Sequence, residues 1–139
     1  MLKFDVTEVG GRQYVSTGNA WEQRYGYSRA VRVGDRVWLT GTLGVEEDGT
    51  FAPDAAGQAN RAFDILLGAL QAVGGTAADL VYVRGYLTDI QDADAIGAVF
   101  KRRVVDAAGV RPGFLQVEVS KLAAAEAKVE LEAEAVISR

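Results

Sequence analysis

The run Tyr27-Ser28-Arg29-Ala30-Val31-Arg32-Val33-Gly34-Asp35-Arg36-Val37-Trp38-Leu39-Thr40-Gly41 decides the fold. Residues 28–33 and 36–41 are rich in β-branched and aromatic side chains. Gly34-Asp35 between them is the two-residue connection that favours a tight primed turn, so the run predicts a β-hairpin. On its N-terminal side, residues 3–9 alternate weakly and predict a short strand. Residues 10–26 read as irregular, with glycines and an aromatic stretch around Trp21 and Tyr25. On its C-terminal side, residues 42–53 form a polar loop with an Asp48-Gly49 turn.

A helix follows. Asp54 is its expected N-cap. Ala59, Ala62, Phe63, Leu66, Leu70 and Val73 recur at three- and four-residue spacings and make one apolar stripe. Gly74-Gly75 ends it. Residues 80–87 predict a strand, and residues 93–105 a second helix capped by Asp92 and carrying Ile96, Val99, Phe100 and Val104. Strands over 114–119 and 128–137 close the chain, joined by an alanine-rich connector. The order ββ-α-β-α-ββ gives one α+β domain over residues 1–139, with two helices on one sheet face.

Period-two geometry divides each strand between two faces. Val31, Val33, Val37, Leu39, Val81, Val83, Leu87, Leu115, Val117, Val119, Val129, Leu131 and Ile137 form an aliphatic set expected under the helices. The opposite set holds Trp38, Thr40, Tyr82, Arg84, Tyr86, Phe114, Gln116, Glu118, Glu130, Glu132 and Glu134. Aromatic side chains mixed with arginine characterise interface cores rather than solvated faces. The second face therefore predicts a cyclic oligomer with pockets where subunits meet. Glu130, Glu132 and Glu134 project from one face about 7 Å apart. They are either a solvated ladder or a set in which one desolvated carboxyl is suited to proton transfer.

Composition narrows the chemistry. The 139 residues include no cysteine and no histidine, which excludes disulfides, thiolate nucleophiles, zinc–sulfur sites and Ser-His pairs. What remains are carboxylates, arginine, tyrosine, hydroxyls and backbone amides. The formal net charge is −4, and the one basic cluster, Lys101-Arg102-Arg103, sits in a helical stretch as a solvated face. No nucleic-acid partner is expected. No apolar run approaches the roughly 18–20 residues of a membrane span. With no signal-peptide pattern at Met1-Leu2-Lys3-Phe4-Asp5, the expected compartment is the cytoplasm. Neither G-x-G-x-x-G nor a P-loop occurs. Asp89, Asp92 and Asp94 read as a turn and helix cap rather than a metal site.

Tyr27-Ser28-Arg29-Ala30-Val31, Val33-Gly34-Asp35, Leu39-Thr40-Gly41, Tyr86-Leu87-Thr88-Asp89-Ile90, Arg111-Pro112, Val117-Glu118-Val119 and Val129-Glu130-Leu131-Glu132-Ala133 fall in one characteristic order. In this the chain resembles the YjgF/RidA family of reactive-intermediate imine and enamine deaminases, from about Ser28 onward. The resemblance implies a chorismate-mutase-like α+β fold and a homotrimeric barrel. It implies a small-molecule ligand bound between subunits and hydrolysis of 2-imino or enamine acids to 2-keto acids and ammonia without cofactor or metal. Carried over residue by residue, it implies Tyr27 as the cleft tyrosine and Gly41, preceded by Thr40, as the amide that receives a ligand carboxylate. Glu130 is implied as the carboxylate that positions the attacking water. The family's arginine falls on Phe114, its helix asparagine on Gly97 and its frequent cysteine on Gln116. Arg84, assigned to the sheet face of Tyr82 and Phe114, either supplies the missing guanidinium or pairs with Glu118 or Glu132. Trp21 is placed to close the cleft. The alternative function is a non-catalytic small-acid binding module or a trimeric scaffold. Family members are also described as endoribonucleases, which the acidic charge disfavours.

Overall fold

A computed structural model describes residues 2–138. The chain forms β1 (Asp5–Val9), β2 (Arg12–Ser16), α1 (Ala20–Tyr25), β3 (Ala30–Val33), β4 (Arg36–Leu43), α2 (Ala55–Ala72), β5 (Leu80–Leu87), α3 (Ala93–Phe100), β6 (Gly113–Glu118) and β7 (Val129–Val136). The strands make one seven-stranded sheet in the order β1-β2-β3-β4-β7-β5-β6. Every pairing is antiparallel except β5 with β6. That parallel pair requires a crossover, which α3 supplies.

The core lies between the sheet and the two longer helices. Phe63, Leu66 and Leu70 of α2 and Ile96 and Val99 of α3 meet Val37, Leu39, Val83, Val129 and Leu131 of the sheet, all at most 3% exposed. Asp54 caps α2, its carboxylate accepting from Gly57 N at 3.0 Å. Gly44 lets β4 approach that helix: a Cβ there would lie 2.0 Å from Gln58 O. Buried Gln58 then bridges to the chain's last third, donating to Ala52 O and Glu126 O and accepting from Lys128 N.

Four expectations are corrected. Residues 10–26 are not irregular: Gly10 and Gly11, at φ 59° and 79°, turn β1 into β2 as a hairpin. Within the same stretch Asn19 N-caps the six-residue α1 and Gly26 ends it at φ 77°. One turn and a half is too short to show periodicity, although both caps stand in the sequence. Asp92 makes no capping bond. Asp89 instead accepts from Gln91 N at 2.9 Å and opens a 3₁₀ turn ahead of α3. The predicted second helix is also not uniform, since its end, Lys101–Asp106, is wound as a π-helix.

The fourth correction concerns faces. Val31 pairs with Trp38, and Leu115 with Arg84, so β3 and β6 carry Val31, Val33, Leu115 and Val117 on the face opposite the helices. A register shift between Leu80 and Tyr82 turns Val81 outward as well, 46% exposed. Phe114 and Gln116 go the other way. Phe114 stacks on Phe100 with ring centroids 4.1 Å apart, and Gln116 Nε2 donates to Ala93 O at 2.9 Å. The edge strand β6 has apolar residues at both phases, so alternation alone could not choose between them.

Candidate functional site

A groove of about 1080 Å³ opens at one end of the sheet, between α1, the end of β4, β7 and the loop through Phe51. Its floor is set by a β-bulge. Between the pairs Leu39↔Ala133 and Thr42↔Leu131, β4 carries one residue more than β7, leaving Thr40 and Gly41 out of register. Such bulges re-aim backbone and side chains at strand ends. Thr40 is held back by its hydroxyl, which donates to Ser28 O at 2.6 Å. Gly41 faces Glu130 so closely that a Cβ would lie 3.0 Å from Glu130 Oε2.

Glu130 stands on β7 in the row of Leu43 and Tyr86. Burial pushes its carboxyl above the ordinary carboxylate range, the Arg29 guanidinium pulls it back, and the neighbouring Glu132 adds to the rise. Glu132 accepts the Tyr86 hydroxyl, which raises the tyrosine's pKa. Glu134 is bound by Arg84 Nη2 at 2.6 Å.

Arg29 is 6% exposed. Its Nη2 donates to Gly41 O at 3.0 Å, its guanidinium lies 5.5 Å from the Tyr27 ring centroid, and its Nε stands 4.0 Å from Glu22 Oε2. Glu22, 3% exposed, is tied by Ser16 Oγ, Thr17 N and Thr17 Oγ1. These bonds anchor α1 to the end of β2 and hold Trp21 and Tyr25 at the groove's mouth.

Of the residues singled out from the sequence, Tyr27, Gly41 and Glu130 share this groove, and Thr40 buttresses it. Arg84 does not line it. Arg84 lies on the outer sheet face over the Tyr82 ring at 4.3 Å, committed to Glu134 and, at 3.8 Å, to Glu132. Phe114 is also outside it, under α3 and on the face opposite Arg84, contrary to the expected shared face. Arg29 and Glu22 escaped sequence reasoning. The signal for Glu22 was the Asn19-x-x-Glu22 spacing of a capping box, although its carboxylate turns to Ser16 and Thr17. Arg29 falls in the strand expected over residues 28–33, where a charged side chain reads as solvated; the observed strand begins one residue later, at Ala30. A second cavity of about 1030 Å³, between residues 49–53 and 120–128, contains none of the singled-out residues. Among the described residues, no helix is long and apolar enough to cross a membrane.

The architecture is that of an α+β protein, a mixed sheet carrying helices on one face, with a partly desolvated carboxylate and a buried arginine in an open groove. The family model described as Endoribonuclease L-PSP matches residues 17–137, and the chain belongs to that family, the YjgF/RidA family. Both strands of the N-terminal hairpin precede the matched region. Rv2704 of Mycobacterium tuberculosis, a YjgF/YER057c/UK114 family member, has a similar structure. Its TM-score is 0.82 at 37% identity, covering 91% of this chain and 99% of that one. RidA from the Antarctic bacterium Psychrobacter sp. superposes with a TM-score of 0.73 at 29% identity, over 80% and 88% of the two chains. The RutC family protein YjgH of Escherichia coli is 43% identical over 63 residues, 45% of this chain; that match spans about half, 48%, of YjgH's own length.

Proposed function

We propose that this RidA-like chain hydrolyses the C=N bond of small 2-imino acids, directly or through their enamine tautomers. The products are a 2-keto acid and ammonia. The observation that carries this reading is Glu130: a carboxyl whose affinity for protons is raised by burial, packed against the Gly41 backbone in a groove open to a ligand. A general base works best when its pKa is moved toward the operating pH, and a raised carboxyl satisfies that.

In the proposed reaction, Glu130 takes a proton from a water molecule as its oxygen attacks the imine carbon. The C=N π-electrons pass to nitrogen, which receives that proton from Glu130, and a tetrahedral carbinolamine forms. Glu130 then takes the carbinolamine hydroxyl proton and hands it to the amine nitrogen as the C–N bond breaks and the carbonyl forms. Atoms balance as imine plus water giving ketone plus ammonia. The Gly41 amide and the Tyr27 hydroxyl orient the acid end. No histidine is needed for this chemistry, and none is present.

We propose that the chain works in the cytoplasm as a homotrimer, with the outer sheet face buried between copies. That face displays Trp38 and Leu115, 40% and 41% exposed. A second reading is capture of a small acid without turnover. Phe114 favours it: where the family pattern has arginine, this chain has a ring stacked on Phe100.

Ammonia release from freshly generated 2-iminobutanoate separates the two. Release that stops in Glu130→Gln supports hydrolysis. Release no faster than in the absence of protein, with 2-oxobutanoate still bound, supports capture. A monomer mass near 14.8 kDa by light scattering at micromolar concentration would refute the trimer.

A further inference from the structure

We propose that Arg29 is the groove's anion-binding residue, and that its ligand is a small carboxylic acid carrying an aromatic or bulky branched apolar side chain. This rests on the groove being the ligand site, as read above, and specifies what enters it.

The first observation is the state of the guanidinium. Arginine carries five donors in a planar fork. In Arg29 one is used within the chain, on Gly41 O at 3.0 Å, and buried Nε has no hydrogen-bond partner among the described residues. Its neighbouring acid does not satisfy it. Glu22 is 4.0 Å from Nε, and both its oxygens already accept from Ser16 and Thr17. A buried cation short of acceptors is costly unless an anion completes it. Arg29 lines the groove, so the anion can arrive from there.

The groove's other cations fit the role less well. Lys3 is exposed to solvent, and Arg61 Nε donates to Val45 O and pairs with Glu46 at 3.4 Å. Arg84 is spent on Glu134 on the other face. A planar carboxylate matches a guanidinium fork through paired, charge-assisted hydrogen bonds.

The second observation is the apolar part of the groove's lining. Trp21 and Tyr25 project from α1 with ring centroids 6.1 Å apart, and both line the groove while remaining 41% and 66% exposed. With Phe51 and Ile65 they give the groove that holds the buried cation a large apolar lining. Paired exposed aromatic rings beside a charge anchor suit a ligand that is anionic at one end and apolar at the other. A two-carbon or three-carbon acid would leave those rings in water.

The test is an NMR titration of the 15N-labelled full chain with phenylpyruvate, pyruvate and phenylacetone, which has a methyl group in place of the carboxylate. Phenylpyruvate is expected to shift the Arg29 Nε–H and Trp21 indole N–H signals and to bind about 10-fold tighter or more than either competitor. Arg29→Gln should weaken phenylpyruvate about 10- to 150-fold. Trp21→Ala should weaken phenylpyruvate about 3- to 10-fold and leave pyruvate unchanged. The proposal is overturned if phenylpyruvate fails to bind, if it binds without moving the Arg29 signal, or if pyruvate binds equally well. Should Arg29→Gln not fold, the wild-type Arg29 signal decides alone. Tight, size-selective binding without ammonia release would overturn hydrolysis and leave this proposal standing. Hydrolysis with no preference for apolar side chains would do the reverse.

Discussion

Gly41→Ala is expected to uncouple the groove's chemistry from the stability of the fold. The new Cβ would lie 3.0 Å from Glu130 Oε2, 3.2 Å from Cδ and 3.6 Å from Cγ. Unstrained contacts of this kind begin near 3.5 Å, so the carboxyl must retreat by roughly half an ångström. It can do so, because the obstacle is the tip of a flexible side chain and not backbone. Gly41 is also not among the glycines at positive φ, so alanine meets no backbone strain there. The expected loss of stability is under about 1 kcal/mol. For a domain of this size that is a fall in Tm of no more than about 5 °C. Turnover should suffer more, because misplacing a reacting group by about 1 Å can cost on the order of 100-fold. A shift of half that size should lower kcat/KM for 2-iminobutanoate about 10-fold, or about 1.4 kcal/mol of transition-state stabilisation. The assay follows 2-oxobutanoate and ammonia together, with Tm measured on the same preparation. Wild-type turnover in Gly41→Ala beside an inactive Glu130→Gln would refute the argument that Gly41 is small in order to seat Glu130. A Tm drop beyond about 8 °C would refute the claim that the side chain alone gives way.

Other consequences are testable by thermal unfolding and binding. Because the folded state raises the Glu130 pKa, the native protein holds that proton to higher pH than the unfolded chain, and this contribution to stability fades as pH rises through the folded value. Glu130→Gln should therefore gain Tm relative to wild type as pH rises from 4 to 8. A difference that is constant with pH would contradict desolvation as the cause. Phe114→Ala should destabilise by about 1–3 kcal/mol through loss of its stacked partner Phe100, as read by urea midpoints; a neutral result would mean the pair contributes no packing. Gln58→Leu should cost about 2–4 kcal/mol, since Ala52 O, Glu126 O and Lys128 N lose their side-chain partner at a site 1% exposed. Arg84→Ala should leave affinity for 2-oxobutanoate unchanged, because its guanidinium is on the outer face with Glu134; a large loss in calorimetry would place the ligand there instead.

The parts of this fold that were legible in the sequence are those where two independent signals agree. α2 has a cap, an apolar stripe and a glycine stop, and it runs from Ala55 to Ala72 much as those signals require. β5 matches its expected span, Leu80–Leu87. The parts that were not legible share one cause: a single local signal with two physical outcomes. Gly10-Gly11 marks a turn, but only Val15 of β2 is fully buried, so the strand's alternation is faint. In β6, Phe114 and Leu115 are both apolar, and only the position of Phe100 decides which faces inward. In β3 the choice between Ala30 and Val31 as the core residue was settled by their partners, Leu39 and Trp38, not by their own hydrophobicity.

The same logic explains why the groove was half visible. Tyr27, Gly41 and Glu130 lie on or beside strands whose motifs the family resemblance supplied, and they converge where the β4 bulge opens. The sequence points to a cation at the motif position on β6, occupied by Phe114, or at Arg84 on β5, and neither strand carries Arg29. Its burial comes from three elements distant in sequence: the Gly41 carbonyl above it, the Tyr27 ring beside it and Glu22 brought in by α1. A charge buried by tertiary contacts leaves no periodic trace in its own segment. It becomes recognisable only when its acceptors are counted, and in this groove the chain itself supplies too few.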